Sequence, residues 1–261
     1  RPFINRIIPW INMVKVEKVY KYFDEKEVLH DISCQFEPGK TNLIIGQSGS
    51  GKTVLMKCLI GLYEADQGTI FYDKRNFSNM SKKERKHMRQ EMGVLFQGGA
   101  LFDSMTVKEN ILFPLIMLSN QTASEKKDRV DFCLERVNLK DTHELYPSQL
   151  SGGMKKRVAI ARAIALNPKY LFCDEPNSGL DPKTSLVIDE LISEITHEYQ
   201  MTTIINTHDM NSVMAIGETV SFIFEGKLWW KGSNNNILHT DNEELNNFVY
   251  ANKFVHQFLS K

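Results

Sequence analysis

An eight-residue glycine-rich stretch constrains the fold of this chain more than any other feature. The stretch consists of Gly46, Gln47, Ser48, Gly49, Ser50, Gly51, Lys52 and Thr53. This order fits the pattern G-x-x-x-x-G-K-[ST], in which backbone N–H groups of a tight loop surround the phosphates of a nucleotide. In such a loop Lys52 reaches the β- and γ-phosphates, and the hydroxyl of Thr53 contacts Mg²⁺. A turn that only joined two elements would not require Lys52 and Thr53, so we expect a nucleotide site.

The segments on either side of this loop have the properties that a phosphate loop requires. Residues 41–45 form a short apolar run typical of a buried strand, and residues 54–60 continue as a helix that ends at Gly61. The N-terminus of such a helix adds N–H donors and a partial positive charge beside the phosphates. The order strand, loop and helix therefore predicts an α/β fold with a phosphate-loop core.

The composition excludes several other classes of protein. Of the 261 residues, 42% are hydrophobic and 25% are charged, as in ordinary globular domains. Lys+Arg and Asp+Glu both number 32, so no net field favours nucleic acid, and we expect no nucleic-acid partner. The longest apolar run, residues 111–118, contains Pro114 and is shorter than the ~20 residues that cross a bilayer.

The four cysteines lack the spacing of a metal site. They are Cys34, Cys58, Cys133 and Cys173. Without a C-x-x-C pair, and with apolar neighbours, they favour buried thiols in a reducing compartment over disulfides or a zinc site.

The rest of the chain divides into strand-rich and helical parts. Strand patterns at residues 14–16 and 28–36 indicate an antiparallel lobe, whereas residues 106–139 are helical with a polar break at 120–123. This helical block separates strands that need each other to complete one sheet, so we interpret it as an insertion. Residues 1–12 do not start with Met, and we expect them to be an extension outside the fold.

Two acidic residues and one histidine follow apolar strands at the expected ligand edge of the sheet. Asp174 and Glu175 end the strand at 169–173, and His208 follows the strand at 203–206. Open α/β sheets bind ligands at the carboxyl ends of their strands. There Asp174 can hold Mg²⁺ through water, Glu175 can accept a proton from an attacking water, and His208 can contact the γ-phosphate.

A second helix start could also meet an anion. Ser151 is a good N-cap, and Gly152 and Gly153 leave the first N–H groups of the following helix open. Taken alone, this pattern is more typical of a capped turn. Phe23, before a polar turn, is open to two interpretations: a core residue, or a ring that stacks on a purine.

Together these motifs resemble those of the ATP-binding-cassette ATPases over nearly the whole chain. The resemblance rests on an ordered set: Phe23, Gly46–Thr53, Gln97, Leu150–Gly153, Asp174, Glu175, Asp181 and His208. It implies ATP hydrolysis with Mg²⁺ as cofactor. It also implies a RecA-like P-loop NTPase core with an antiparallel β lobe, forming an ATPase domain over residues 13–232 with the helical subdomain inserted at about 100–158.

The resemblance assigns a role to each member of the set. Phe23 would stack on adenine, Gln97 would serve the metal and catalysis as the Q-loop residue, and Ser151, Gly152 and Gly153 would form the signature motif. Asp174 would be the Walker B aspartate that, with Thr53 and Gln97, holds Mg²⁺. Glu175 would be the catalytic base, with Lys52 and His208 beside the γ-phosphate, and Asp181 would belong to the D-loop.

A narrower resemblance concerns the ATPases of the Mla/Mce-type phospholipid transporters. It rests on Phe96–Phe102, which reads Phe-Gln-Gly-Gly-Ala-Leu-Phe, and on Leu150–Arg157, where Met154 ends the signature. The cassette resemblance implies a homodimer with ATP at the interface and a membrane permease docked near residues 97–118, and the narrower resemblance adds an Mce-type lipid-binding partner. The location implied is the cytoplasmic face of the inner membrane.

Two questions stay open at this point. A non-transport cassette, of the cell-division or iron–sulfur-assembly type, is the alternative to a lipid transporter. The tail at residues 233–261 starts with a polar loop at 233–236 and carries an apolar face of Phe248, Phe254, Val255 and Phe258. This face packs either on a partner or back on its own domain.

Overall fold

The computed structural model of the chain describes residues 12–251, so the expectations for residues 1–11 and for Phe254, Val255 and Phe258 lie outside the described residues. The strands are β1 (Val14–Phe23), β2 (Lys26–Phe36), β3 (Thr41–Ile45), β4 (Gln67–Tyr72), β5 (Arg75–Asn76), β6 (Met92–Leu95), β7 (Tyr170–Asp174), β8 (Thr202–Thr207), β9 (Thr219–Phe224) and β10 (Lys227–Gly232). The helices are α1 (Lys52–Leu59), α2 (Lys82–Gln90), α3 (Val107–Leu118), α4 (Ala123–Arg136), α5 (Gly152–Ile164), α6 (Pro182–Tyr199), α7 (Met210–Ile216), α8 (Asn234–Ile237) and α9 (Glu243–Ala251).

A six-stranded sheet in the order β10-β9-β3-β8-β7-β6 forms the centre of the fold. All neighbours in it are parallel except β10, which runs antiparallel to β9. Every residue of β3 is buried, because successive side chains face opposite sides of the sheet and both sides are covered. Leu43 and Ile45 belong to one hydrophobic cluster, and Ile44 belongs to the other. The predicted α/β core is confirmed.

The register of this sheet brings the ends of three strands together. Ile45 at the end of β3 pairs with Thr207 at the end of β8, and Asp174 at the end of β7 pairs with Asn206. The phosphate loop, the two acids and His208 therefore start from one edge of the sheet.

A four-stranded antiparallel sheet, β2-β1-β4-β5, forms the predicted second lobe. Its buried side chains, among them Val14, Phe36 and Tyr72, pack in the cluster that also contains residues of α1. This packing seats the antiparallel lobe against the helix that follows the phosphate loop.

The helical insertion lies between two neighbouring strands of the central sheet. β6 precedes α3, α4 and α5, yet it pairs in parallel with β7, which follows them. Thr106 and Thr122 start α3 and α4 with capping boxes, in which each threonine exchanges hydrogen bonds with a glutamate three residues later. The insertion thus interrupts the sequence of the sheet without interrupting its pairing.

The described part of the tail packs on its own domain. Leu245, Phe248 and Val249 of α9 are buried in the main cluster, and the Phe248 ring centroid lies 5.5 Å from that of Phe222. The prediction of a polar loop at 233–236 was wrong, because α8 starts there. Ile237 at the end of α8 is fully buried in the same cluster, so this short helix packs against the domain.

Two further sequence predictions can be compared with the described residues. All four cysteines are free and buried, and burial raises the pKa of each thiol, to about 11 for Cys133 and to about 12 for Cys34 and Cys58. Within residues 12–251, none of the helices has the length and apolar character that crossing a bilayer requires.

Candidate nucleotide-binding and hydrolysis site

The phosphate loop takes a backbone path that requires glycine at specific positions. Gly49 and Gly51 have φ values of 81° and 106°, which side chains other than glycine rarely adopt. A Cβ on Gly46 would lie 2.1 Å from the carbonyl oxygen of Ile223, so β9 passes directly against the loop. The hydroxyl of Ser50 is buried in the loop and has no hydrogen-bond partner among the described residues.

Lys52 lies folded inside its own loop. Its ammonium group donates to the carbonyl oxygens of Gly46 and Gln47, at 2.8 and 2.9 Å. Burial lowers the pKa of Lys52, while the carboxylates of Glu175 and Asp174 act in the opposite direction. The side chain is thus a partly desolvated cation held where anionic oxygens can replace the carbonyl groups.

The hydroxyl of Thr53 and the carboxylate of Asp174 meet at the start of α1. Thr53 Oγ1 lies 3.3 Å from Asp174 Oδ1, which also accepts a hydrogen bond of 3.1 Å from Asn206 Nδ2. Oxygen ligands of this type are those that Mg²⁺ binds in nucleotide sites. The two oxygens therefore fit the Mg²⁺ role predicted for Thr53 and Asp174.

Glu175 and His208 form a direct contact. His208 Nδ1 lies 2.9 Å from a carboxylate oxygen of Glu175. The backbone of Glu175 has a φ of 48°, a left-handed conformation that is uncommon for non-glycine residues and costs free energy. This turn directs the chain out of β7 directly after Asp174.

A cavity of about 530 Å³ brings most of the predicted site residues together. Its lining includes a set that the sequence analysis assigned: Gln47, Ser48, Gly49, Gly51, Lys52, Thr53, Gln97, Glu175 and His208. The loop, the Q-loop residue and the proposed base and histidine thus face one space. Its size suits a small ligand that is held mainly by its phosphates.

Other predicted residues lie outside this cavity. Phe23 is 39% exposed; its ring packs edge-on against Tyr63, with centroids 5.2 Å apart. Ser151 caps α5 by accepting from the Met154 N–H at 3.2 Å. Asp181 caps α6 through the N–H and hydroxyl of Thr184, and these bonds lower the pKa of its carboxyl.

The signature segment instead adjoins the start of α6. A Cβ on Gly153 would lie 2.8 Å from the Thr184 methyl group, and one on Gly152 would lie 3.3 Å from Leu180. Ser151 and Gly152 are exposed. Within one chain, residues 151–153 and Asp181 therefore lie close to each other, on a surface outside the nucleotide cavity.

Besides Val54, which directly follows the phosphate loop, three residues of the cavity wall were not predicted as site residues. They are Val28 on β2 and two residues of α9, Phe248 and Ala251. The apolar spacing of the tail marked Phe248 as a packing residue, but no local pattern indicated that α9 reaches the phosphate loop. Only the tertiary fold brings these residues to the cavity.

Comparison with known sequences yields one family and several relatives. The family described as ABC transporter matches residues 29–178. The methionine import ATP-binding protein MetN of Campylobacter jejuni is 34% identical over 259 residues, covering 93% of this chain and 77% of that protein. The probable ribonucleotide transport ATP-binding protein mkl of Mycobacterium leprae is 34% identical over 236 residues, covering 90% and 68%.

Solved structures with the same fold cover most of the chain. A dimeric post-hydrolysis state of the ATP-binding cassette MJ0796, bound to ADP and Pi, has a TM-score of 0.77 and 29% identity, and the match covers 85% of this chain and 98% of that one. The structure of cbiO1 from Clostridium perfringens, part of the ABC transporter complex cbiONQ, has a TM-score of 0.83 and 28% identity, with coverage of 96% and 100%.

Proposed function

Since this chain belongs to the ABC transporter family and is an ABC-type ATPase, we propose that it is the subunit that hydrolyses ATP to drive a membrane permease, and that the cargo is phospholipid. The observation that carries the proposal is the contact between Glu175 and His208 in the cavity that Lys52 and Thr53 also line. A base, a histidine and a phosphate-binding lysine thus face one small space.

Three residues of this cavity have separate roles in the proposed hydrolysis of ATP. Glu175 orients the attacking water and accepts its proton. Lys52 exchanges the Gly46 and Gln47 carbonyl groups for phosphate oxygens and balances the charge that develops on the transferred group. His208, held by Glu175, contacts the γ-phosphate. These roles require positioning and charge rather than covalent chemistry.

Mg²⁺ fits the oxygen atoms at the start of α1. Thr53 and Asp174 would hold the ion, with Gln97 contributing from the Q-loop, and Asn206 orients the Asp174 carboxylate through its hydrogen bond. When bound, Mg²⁺ supplies positive charge next to the β- and γ-phosphates.

A second copy of the chain would complete each ATP site. Ser151, Gly152 and Gly153 do not line the cavity of their own chain, yet Ser151 and Gly152 are exposed at an open helix start that suits an anion. Two chains placed head to tail would set this start against the γ-phosphate bound by the partner. The dimeric state of the MJ0796 cassette supports such an arrangement.

An apolar groove on the helical insertion supports a permease partner. A cavity of about 470 Å³ is lined by aromatic residues that include Phe96, Phe102 and Phe113, each at least 36% exposed. Arg162 also lines the groove, and its guanidinium donates hydrogen bonds to the carbonyl groups of Gly99 and Ala100. Exposed aromatic side chains beside Gln97 suit a partner element that moves with the nucleotide state. The predicted dock at residues 97–118 contributes Ala100, Phe102, Phe113, Pro114 and Leu118 to this groove.

The phospholipid cargo rests on the two segments that resemble Mla/Mce-type ATPases, residues 96–102 and 150–157. On this proposal the chain works at the cytoplasmic face of the inner membrane, and an Mce-type protein receives or supplies the lipid. Methionine import is a second candidate, since MetN proteins share 34% or more of the aligned residues. Mass spectrometry of the complex purified with its permease separates the two: bound phospholipid supports the first, and bound methionine without phospholipid contradicts it.

Substitution of Glu175 tests the hydrolysis site directly. Glu175→Gln keeps the size and hydrogen-bonding capacity of the side chain but removes the base. We expect kcat to fall at least about 100-fold, while Mg·ATP affinity stays within about threefold because the phosphate loop is intact.

The matched control is Glu135→Gln on the exposed face of α4, which should retain the kcat of the unmodified chain. Undiminished steady-state hydrolysis by Glu175→Gln, with Glu135→Gln equally active, would reject Glu175 as the base.

A further inference from the structure

A buried carboxyl group lies near the two loops that carry Glu175 and His208. Asp189 on α6 is only 1% exposed. Neither of its carboxylate oxygens has a hydrogen-bond partner at normal distance and angle among the described residues. An ionised carboxyl group in this environment costs free energy, so a structural role alone would be served better by an apolar or amide side chain.

The polar neighbours of Asp189 lie on the loop that follows Glu175 and on α7, the helix that follows His208. Asn177 lies two residues after Glu175, and Ser212 lies on α7, four residues after His208. The Asn177 amide donates to the Ser212 hydroxyl at 3.1 Å, which links the two loops a second time. Both side chains interact with the carboxyl of Asp189 and favour its ionised form.

The same neighbourhood contains an unused acceptor. The side-chain oxygen of Asn177 is buried and has no donor among the residues that the structure describes. Asp189 and Asn177 also line one cavity of about 450 Å³, together with Glu175 and His208. Among the described residues, both carboxylate oxygens of Asp189 and the side-chain oxygen of Asn177 are thus unpaired acceptors beside the cavity that Glu175 and His208 line.

We propose that Asp189 is a positioning residue for ATP hydrolysis, which together with Asn177 and Ser212 holds the Glu175 loop and α7 at the spacing that keeps Glu175 and His208 in contact. The proposal rests on the roles given above to Glu175 and His208. It adds a residue that no motif of the family set contains.

The protonation state of Asp189 selects between two hydrogen-bond arrangements. An ionised carboxylate accepts from the Ser212 hydroxyl and from the Asn177 amide. A protonated carboxyl group donates its own O–H to the Asn177 oxygen that lacks a donor. Because Asn177 changes its role between the two arrangements, the loop that follows Glu175 responds to the charge of Asp189.

The surroundings place this change near neutral pH. Burial raises the pKa of Asp189 to about 6, the Asp209 and Glu190 carboxylates act in the same direction, and Ser212 and Asn177 act against it. The Cys173 thiol on β7 also faces the group, and burial raises its pKa so that it stays neutral. Because folding raises the pKa of Asp189, the contribution of this group to the free energy of unfolding is fully present below its ordinary pKa of about 3.9. That contribution is partly lost as the pH rises to about 6.

The test compares the pH profiles of kcat for the unmodified chain and for Asp189→Asn. Asparagine resembles the protonated state, so the ratio of the two kcat values isolates the ionised state from other groups that titrate in both proteins. We expect a ratio of about 10 at pH 8, the effect of one positioning hydrogen bond. With a pKa of about 6, the ratio should fall to about 3 at pH 5.5, and KM for Mg·ATP should stay within about twofold.

Two further variants keep the test decisive. Glu190→Gln removes a neighbouring charge from the exposed face of α6 and keeps the Asp189 carboxyl group, so its kcat ratio to the unmodified chain should stay near 1 at pH 8, where Asp189 is ionised in both proteins. Ser212→Ala should also lower kcat more at pH 8 than at pH 5.5. If Asp189→Asn does not fold, the pH dependence of Ser212→Ala decides the question.

The proposal is overturned if the kcat ratio of the unmodified chain to Asp189→Asn does not change with pH. It is also overturned if Glu190→Gln gives the same pH profile as Asp189→Asn. Glu175→Gln, measured in parallel, separates this failure from failure of the proposed site. An inactive Glu175→Gln with a flat Asp189→Asn ratio rejects only the positioning role, whereas an active Glu175→Gln rejects the site itself.

Discussion

The phosphate-loop side and the signature side of this protein differ in how much of a hydrolysis site one chain completes. On the phosphate-loop side, Lys52, Thr53, Glu175 and His208 line one cavity, and each has a polar partner at the same edge of the central sheet. On the signature side, Ser151 caps its own helix and faces outward. One region is assembled within the chain, and the other is an exposed helix start on its surface.

The difference bears on the proposed pairing of two chains. Binding of Mg·ATP requires charge and N–H donors, which the phosphate loop supplies by itself. Closing the γ-phosphate against water requires donors from the opposite direction, and we assign this role to the open start of α5 in the second copy. We therefore expect changes on the phosphate-loop side to affect binding or chemistry in one chain, and changes on the signature side to act through the second copy.

The largest effect in this comparison should come from Ser151→Arg. The long cation would occupy the open helix start and block close approach of the two chains. We expect ATPase turnover in the complex with its permease to fall at least about tenfold, while Mg·ATP binding by the separate chain stays within about threefold. Fluorescent-nucleotide titration and a steady-state phosphate assay measure the two quantities.

Ser124→Arg, at an exposed position in the first turn of α4, carries the same change elsewhere on the helical insertion and should keep full turnover. If Ser151→Arg hydrolyses ATP as fast as Ser124→Arg, the signature surface does not complete the site.

A smaller effect should follow from Phe23→Ala on the antiparallel lobe. Stacking of an aromatic ring on a base contributes about 1–3 kcal/mol, and at the lower end of this range KM for ATP should rise about fivefold with kcat nearly unchanged. Phe132→Ala is a matched control because Phe132 is also 39% exposed and also lies near a cationic side chain, that of Arg129. Equal KM values for both variants would remove Phe23 from the nucleotide site.

The smallest effect should come from Thr122→Ala, which removes the capping box of α4. We expect the free energy of unfolding to fall by about 1 kcal/mol, with turnover within about twofold, because this helix start is distant in sequence from both surfaces. Thr122→Ser retains the hydroxyl and should restore stability in a urea titration. A large loss of turnover in Thr122→Ala would mean that the stability of the insertion and its contact role cannot be separated.

Sequence reasoning predicted the parts of the site that depend on local order. The phosphate loop needs glycines and a lysine in sequence, and Asp174, Glu175 and His208 each follow an apolar strand. The parallel register then brings them together, as confirmed by the pairing of Asp174 with Asn206. For these residues, strand patterns and the rule on ligand edges of α/β sheets were sufficient.

Residues placed by tertiary packing could not be predicted in the same way. Phe248 belongs to an apolar helix face, and nothing in its local sequence shows that α9 reaches the phosphate loop. Asp189 lies between the apolar residues Ile188 and Leu191 of α6, and an acidic residue in such a helix usually faces solvent. Its burial depends on α7 and on the loop at Asn177, which are brought there by the sheet.

Sedimentation velocity of the Glu175→Gln chain tests the central claim most directly, because slow hydrolysis preserves the ATP-bound state. The account predicts that the chain, 30.1 kDa as a monomer, sediments as a dimer with Mg·ATP and as a monomer with ADP. It also predicts that adding Ser151→Arg to Glu175→Gln abolishes the dimer. A chain that stays monomeric with saturating Mg·ATP bound, while the unmodified chain hydrolyses ATP at full rate as a monomer, would contradict it.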